Sequence, residues 1–366
     1  MTKCLLTILL AVSISFTCFG QEQHLIITGK VIDRNTKAPL AGASVFAQNT
    51  TFGIATDALG SFKLKLPPGG YVLIITFTGY ETESLRITAG SEINNIEVAL
   101  KPREHSLEEV SIVSSNEVKD GWLKYGSFFT DNFIGRSEFS AQTRIKNPEV
   151  LKFYFSKKRN RLKVLASEPL FVVNDALGYN LRFTIDSFTH EYNTNTTLFV
   201  GYPLFEEMNG TAQQTMIWKE NRTQAYNGSM LHFMRSFFTK TLAKEGFEIQ
   251  FLVKSKEEEK TIQIKNPYSA LNYDRDDSTN TVELFPNQPD VIVIYKLAKP
   301  QQAYLDFDQK VKKDFQASVL TISPDNSIII EQNGYFFEQS DLIVNGYWNF
   351  EKIGDMLPYD YKKEDR

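Results

Sequence analysis

The stretch of this chain where proton-carrying and charge-holding groups fall closest together runs from Arg222 to Thr239. Read as a helix starting near Ser229, it brings His232, Arg235, Ser236 and Thr239 to one side, because steps of three and four residues return to the same face. Arg222 and Tyr226 precede that face by a short connection through Gly228-Ser229. An imidazole titrates near neutral pH, and a guanidinium grips a carboxylate through two parallel hydrogen bonds. The candidate polar site is therefore Arg222, Tyr226, His232, Arg235 and Ser236, read as an anion or carboxylate pocket with His232 as its proton carrier. The same pattern also describes a solvated or hydrogen-bonded helix face, which is the more ordinary fate of such residues.

Other chemistry is thinly represented. The chain has four histidines, His24, His105, His190 and His232, and no His-Glu-x-x-His pair or comparable zinc spacing. No Gly-x-Ser-x-Gly elbow or phosphate-binding glycine loop occurs. Asp57 to Gly60 offers a single carboxylate where calcium needs about six oxygens or more, and Asp274 to Asn280 lacks the glycine and glutamate of a calcium loop. Both read as turns or loops. No catalytic residue, metal or cofactor is assigned, and an enzyme is the less expected class. A glycosidase would need two carboxylates at a set separation, which sequence cannot supply.

The elements that must position these groups begin with a leader. Residues 1–20 carry Lys3, an apolar run from Leu5 to Phe19 and Gly20 before Gln21-Glu22-Gln23, the layout of a cleaved secretory signal peptide. That run is shorter than the roughly 20 residues a membrane helix needs, and no later stretch reaches that length, so no span is expected in the mature chain. Both cysteines, Cys4 and Cys18, lie in this leader. Cys18 would permit lipidation, although Phe16 stands where a lipoprotein signal prefers a small residue. The mature chain then has no disulfide in a compartment that would allow one. A net charge of -4 with 42% hydrophobic residues fits packed globular structure and argues against nucleic acid as a partner.

From His24 to about Lys101 short period-two stretches alternate with turns, the pattern of an all-β sandwich. Strands are expected at Leu25 to Asp33, Ala43 to Ala47, Ile54 to Thr56, Ser61 to Leu66, Tyr71 to Phe77, Thr82 to Thr88 and Ile93 to Leu100. In the fourth, Phe62, Leu64 and Leu66 point one way and Lys63 and Lys65 the other, whereas Tyr71 to Phe77 is apolar on both faces and reads as a central strand. The runs Gly29-Lys30-Val31-Ile32-Asp33, Pro39-Leu40-Ala41-Gly42-Ala43, Thr56-Asp57-Ala58-Leu59-Gly60-Ser61-Phe62 and Gly69-Gly70-Tyr71, followed by Gly79-Tyr80-Glu81, resemble the carboxypeptidase regulatory-like domain. The resemblance implies a transthyretin-like, seven-stranded Greek-key sandwich that is accessory rather than catalytic. It also implies kinship with modules that precede TonB-dependent outer-membrane receptors. Gly60 is expected to permit a tight turn, and Gly42 and Gly79 to sit where a side chain would be crowded.

Residues 102–120 read as a linker in which Ser106 to Val113 resembles the extended segment that follows this module in such receptors. The remaining 121–366 lacks the regular ten-residue strands of a receptor barrel and reads as an α+β domain: a largely antiparallel sheet with two or three helices. A helix is expected over Trp122 to Phe133. Strands follow at Leu151 to Phe155, Arg161 to Ala166, Leu170 to Val173, Tyr179 to Tyr192 and Thr196 to Tyr202, the last two joined by a turn at Asn193-Thr194-Asn195. Thr211 and Gln214 form a capping-box pattern, and Ser229 caps a second helix whose stripe of Met230, Phe233, Met234, Phe237, Phe238 and Thr241 runs until Gly246. That stripe is expected to pack on the preceding sheet. The run from Trp218 through Asn221-Arg222 and Gly228-Ser229 to Arg235-Ser236 resembles a motif of exported proteins with the same N-terminal module, and no activity comes with it. Further strands fit Glu248 to Lys254, Thr261 to Lys265, Val291 to Leu297, Ala317 to Ile322 and Ser327 to Gln332. The expected function is a non-catalytic envelope protein of the periplasm or outer membrane, peripherally held, that docks a protein or glycan partner. The alternative is an envelope hydrolase with a cleft near His232.

Overall fold

The computed structural model describes residues 24–88, 93–103, 116–254, 258–308, 314–337 and 339–364. Residues 1–23 with both cysteines, His105 and Ser106 to Val113 fall outside the described residues, and with them the signal-peptide and linker-strand expectations.

Alternation builds the sandwich as expected. β4 (Ser61–Leu66) buries Phe62, Leu64 and Leu66 and exposes Lys63 and Lys65. It pairs antiparallel with β1 (Leu25–Asp33), with Ile27 opposite Leu64, and β7 (Ile96–Leu100) joins the other side of β1 in parallel. Facing this sheet is a second in the order β3 (Gly53–Ala55), β2 (Ser44–Ala47), β5 (Tyr71–Thr76), β6 (Glu83–Ile87). Central β5 buries Leu73, Ile74 and Ile75 completely, so both its faces are covered. Gly60 sits at φ +73°, and a Cβ there would lie 2.5 Å from the Val31 carbonyl oxygen, so the turn requires glycine. Crowding is not the reason for Gly42 and Gly79: no atom would meet their Cβ, and what they supply is φ of +80° and +85°.

The larger part contains two sheet-and-helix layers. In the first, strands run in the order β8 (Thr143–Ile145), β11 (Leu170–Asn174), β12 (Tyr179–Glu191), β10 (Arg161–Ala166), β9 (Leu151–Ser156), and β13 (Thr196–Glu207) pairs along β12. The β12–β13 hairpin turns where Asn195 adopts a φ of 52°, as the Asn-Thr-Asn run suggests. Helix α1 (Gly121–Phe133) covers one face, placing Phe129 4.8 Å from Phe188 and Phe133 4.9 Å from Phe183 between ring centroids. Helix α2 (Ala212–Tyr226) opens on the predicted Thr211–Gln214 capping box, and α3 (Met230–Phe238) on Ser229, whose Oγ accepts the His232 amide.

In the second layer Phe233, Met234, Phe237 and Phe238 join the core of the sheet that follows α3, not the one that precedes it. That sheet runs β15 (Glu259–Gln263), β14 (Phe247–Lys254), β18 (Asp290–Tyr295), β19 (Gln316–Ile322), β21 (Leu342–Gly346), and a small sheet of β16 (Asp274–Asp276), β17 (Thr281–Leu284) and β20 (Ile328–Glu331) lies with it. The stripe also ends earlier than its periodicity suggests. Lys240 turns left-handed at φ 57°, and the Thr241 amide donates to Ser236 O at 2.8 Å, so the helix closes in a Schellman-type cap well before Gly246. Asp274 to Asn280 is a tight hairpin rather than a loop: Asp276 accepts the Ser278 amide at 2.8 Å while β16 pairs with β17. Among the described residues the larger part holds six α-helices, more than expected, since α4 (Pro267–Ala270), α5 (Gln302–Phe307) and α6 (Tyr347–Phe350) are too short to show a period in sequence. The class is mainly β in the sandwich and α+β behind it. No helix among the described residues is long and apolar enough to cross a membrane.

The sandwich is fastened to the larger part through backbone. Its β2–β3 turn extends the edge of β13: Asn49 N donates to Pro203 O at 2.8 Å and Phe205 N to Thr50 O at 2.9 Å, a parallel bridge of Thr50 with Leu204. The C-terminal segment then locks the turn, with Tyr359 N donating to Asn49 O at 2.7 Å and Thr51 N to Asp360 Oδ1 at 2.9 Å. On the other flank Arg86 lies 3.4 Å over the Phe337 ring and Asn333 Nδ2 donates to Gly70 O.

Candidate functional site

The five residues singled out from sequence lie where α2, α3, β18 and the C-terminal segment meet. His232 is 3% exposed. The Gly228 amide donates to its Nδ1 at 3.1 Å, which leaves the ring proton on Nε2, 3.2 Å from Glu245 Oε2. Both nitrogens are therefore used. Tyr226, Phe247 and Tyr295 pack around the ring, and burial pulls its pKa down to about 4 despite the opposing carboxylate. A base whose lone pair already accepts a backbone amide has none left for a substrate proton.

The two guanidinium groups do not face one another across a pocket. Arg235 donates through Nε to Asn333 O (2.9 Å), through one terminal nitrogen to Tyr361 O (2.8 Å) and through the other to Tyr359 O (2.9 Å). Arg222 donates to Leu177 O at 2.7 Å and to Gly178 O at 3.1 Å, pairs with Glu207 and lies 3.9 Å over the Tyr179 ring. Gly178 stands at φ +68° under Trp218, whose ring a Cβ would strike at 2.2 Å, so the turn that Arg222 grips is itself specified by glycine. Ser236 Oγ donates back to His232 O at 2.7 Å within the helix. Tyr226 is buried, which raises its phenol pKa, and its ring stacks beside Tyr361 and under Arg235. Of the set, Arg235 and Tyr226 form a belt against the C-terminal segment, while Arg222 holds the turn at Leu177-Gly178 and His232 and Ser236 bond to Glu245 and within α3. His190, the other buried histidine among the described residues, bonds to Thr197 Oγ1 at 2.8 Å and packs against Phe128 and Tyr192. Among the described residues no group of three or more His, Cys, Asp or Glu side chains could hold a metal ion.

Two cavities of about 290 Å³ each lie beside this belt, and both are walled by Ala225, Glu351 and Asp355. The first is largely apolar, with Met230, Leu231, Met234, Phe336, Trp348 and Met356 in its lining. The second is polar and includes Glu220, Gln224, Lys299, Gln301 and Gln316. Asp355 is 7% exposed, and its Oδ2 accepts from Ser137 Oγ at 2.6 Å while Oδ1 has no partner. Burial raises the Asp355 pKa to about 7 against the opposing hydrogen bonds of Ser137 and the Lys352 backbone, and burial beside the negative charge of Asp355 holds that of Glu351 well above the carboxylate range. Sequence reading missed this pair. Its one sequence signal is an acid set among Ile353, Met356 and Leu357, in a tail that reads as simply packing its aromatics.

Residues 27–112 match the CarboxypepD_reg-like domain family. The chain is 31% identical over 119 residues to the TonB-dependent receptor SusC of Bacteroides thetaiotaomicron, an overlap of 32% of this chain and 11% of the receptor. It is 30% identical over 112 residues to a TonB-dependent receptor of Formosa agariphila, 31% of this chain and 10% of that one. The chain thus spans about a tenth of the length of these relatives. Among solved structures, a 3-chlorocatechol 1,2-dioxygenase of Rhodococcus opacus overlaps 24% of this chain and 62% of its own, at 16% identity and a TM-score of 0.19, too low to bear on function.

Proposed function

We propose that the protein is a non-catalytic binding or docking protein of the cell envelope, held peripherally at the outer membrane, which presents a sandwich and an α+β part to a protein or glycan partner. The observation that carries this reading is the expenditure of the polar set. His232, Arg222 and Arg235 direct their donors and lone pairs at this chain's own groups, most of them backbone carbonyls. Groups so engaged hold a surface in shape and leave little for chemistry. Kinship of the N-terminal third with TonB-dependent receptors supports the envelope as location. Exporting a tagged chain in a Gram-negative host, with photo-crosslinkers at the exposed sandwich residue Leu59 and at Leu198 on β13, tests it. Adducts with an envelope component are expected, and a chain left in the cytoplasmic fraction would contradict the reading.

A hydrolase near His232 draws support from the acid pair, since Asp355 and Glu351 share a cavity with Tyr295, itself packed on His232. That reading predicts turnover of a chromogenic ester or glycoside panel that Asp355→Asn abolishes. The docking reading predicts no turnover by either form.

A further inference from the structure

The polar cavity is lined by two buried acceptor oxygens that no donor among the described residues reaches. Asp355 Oδ1 and Gln316 Oε1 are buried with no hydrogen-bond partner, and both residues line the polar cavity. Beside them the Glu351 carboxyl, raised by burial, feels the negative charge of Asp355. A buried acceptor left unpaired is costly and uncommon in a native interior unless something else satisfies it. The nearby cation does not. Lys352 turns to Asn349, its Nζ 2.7 Å from Oδ1, and only burial shifts its titration. Across the site stand Glu138, which adds negative charge at Asp355, Tyr347, which feels both acids, and Glu220 and Lys299 on the far side of the polar cavity. What is missing from this arrangement is a group that brings several N–H donors and a positive charge.

The second cavity says what such a group would be attached to. Met230, Met234 and Met356 give it unbranched, polarizable walls that adapt to an apolar body, with Phe336 and Trp348 as flat surfaces. Exposed Asn349 and half-buried Lys352 mark its solvent side. We propose that this pair of cavities binds a small amphiphile bearing a primary ammonium, its nitrogen at Glu351 and Asp355 and its hydrocarbon part among the methionines. Without a ligand the two acids relieve their burial by keeping protons. An ammonium makes the ionised form favourable, so binding must release protons near neutral pH and tighten as pH rises from about 6 to 8, while an alkylamine, like lysine at about 10.4, stays charged.

The inference is independent of the envelope partner, because its test uses only small molecules on the full chain. Isothermal calorimetry compares n-hexylamine with methylamine, which lacks the apolar body, and with n-hexanol, which lacks the charge. Expected are saturable binding of hexylamine, at least tenfold weaker binding of both controls, and proton release seen as a heat that depends on the buffer's ionisation enthalpy. Glu351→Gln and Asp355→Asn, near-isosteric changes that remove a buried acid, are expected to weaken hexylamine at least tenfold without lowering the melting temperature. Equal binding of hexanol and hexylamine, or hexylamine binding unaltered in both variants, would overturn the proposal, as would no hexylamine binding in a chain that melts normally.

Discussion

At the residue scale the polar groups that suggest chemistry are spent on architecture, and this makes definite predictions. Arg235 satisfies three carbonyls whose partners lie 98 to 126 residues away in sequence, so Arg235→Ala strands buried acceptors and is expected to cost about 3–5 kcal/mol by denaturant unfolding. Arg235→Lys should recover little, because an ammonium lacks the planar fork. Two buried titrations set the pH dependence in opposite senses. His232 falls from 6.5 to about 4 on folding, so the unfolded chain binds the extra proton, and stability is full above 6.5 and lost as pH drops towards 4. Asp355 rises from 3.8 to about 7, so the folded chain holds the extra proton and stability is lost as pH climbs through that window. Asp355→Asn removes only the second effect. Its stability relative to the parent should grow between about pH 4 and pH 7 and level off above that in chemical denaturation at a pH series, by roughly a few kcal/mol in all, and a constant difference would contradict the burial assigned to that carboxyl. The types and helical spacing of the set were legible in sequence, but its partners were not: carbonyls of Asn333, Tyr359 and Tyr361 carry no side-chain signature.

At the element scale, strands with clean alternation and helices with side-chain caps are legible, and those specified by backbone closure are not. β4 and the Thr211–Gln214 capping box are read directly because each pattern is local. The end of α3 is not, because Thr241 and apolar Leu242 continue the spacing of the stripe after Lys240 has closed the helix. The same holds for β8 and β21, which are three and five residues long and pair with strands distant in sequence. Gly178 offers the sharpest test at this level. Gly178→Ala forces a Cβ into Trp218 at a left-handed φ, displacing the turn that Arg222 holds, and a loss of about 2 kcal/mol or more is expected in thermal or denaturant unfolding. An alanine variant as stable as the parent would mean that α2 does not rest on that turn.

At the scale of the whole molecule, three large cores and a small cluster around Tyr304, Tyr347 and Phe350 form the interior of the described residues. The sandwich has its own cluster around Ile27, Leu64, Leu73 and Ile75, so residues 24–103 alone are expected to unfold cooperatively, with Leu73→Ala costing about 2–5 kcal/mol. An isolated fragment without a cooperative transition would contradict an independent sandwich core. In the full chain the same unit shares a β-bridge with β13 and is locked by the segment from Tyr359 to Tyr361, which Arg235 in turn grips. Thr51 and Asp360, 309 residues apart, show why this union is invisible in sequence: neither belongs to a motif, and only the fold brings them together. The most direct measurement of the account is differential scanning calorimetry of the full chain beside its Arg235→Ala variant. An Arg235 that braces the C-terminal segment predicts one coupled transition in the parent and, in the variant, a sandwich transition that separates from an earlier melting of the larger part. Two independent transitions in the parent, or a variant that melts as the parent does, would contradict it.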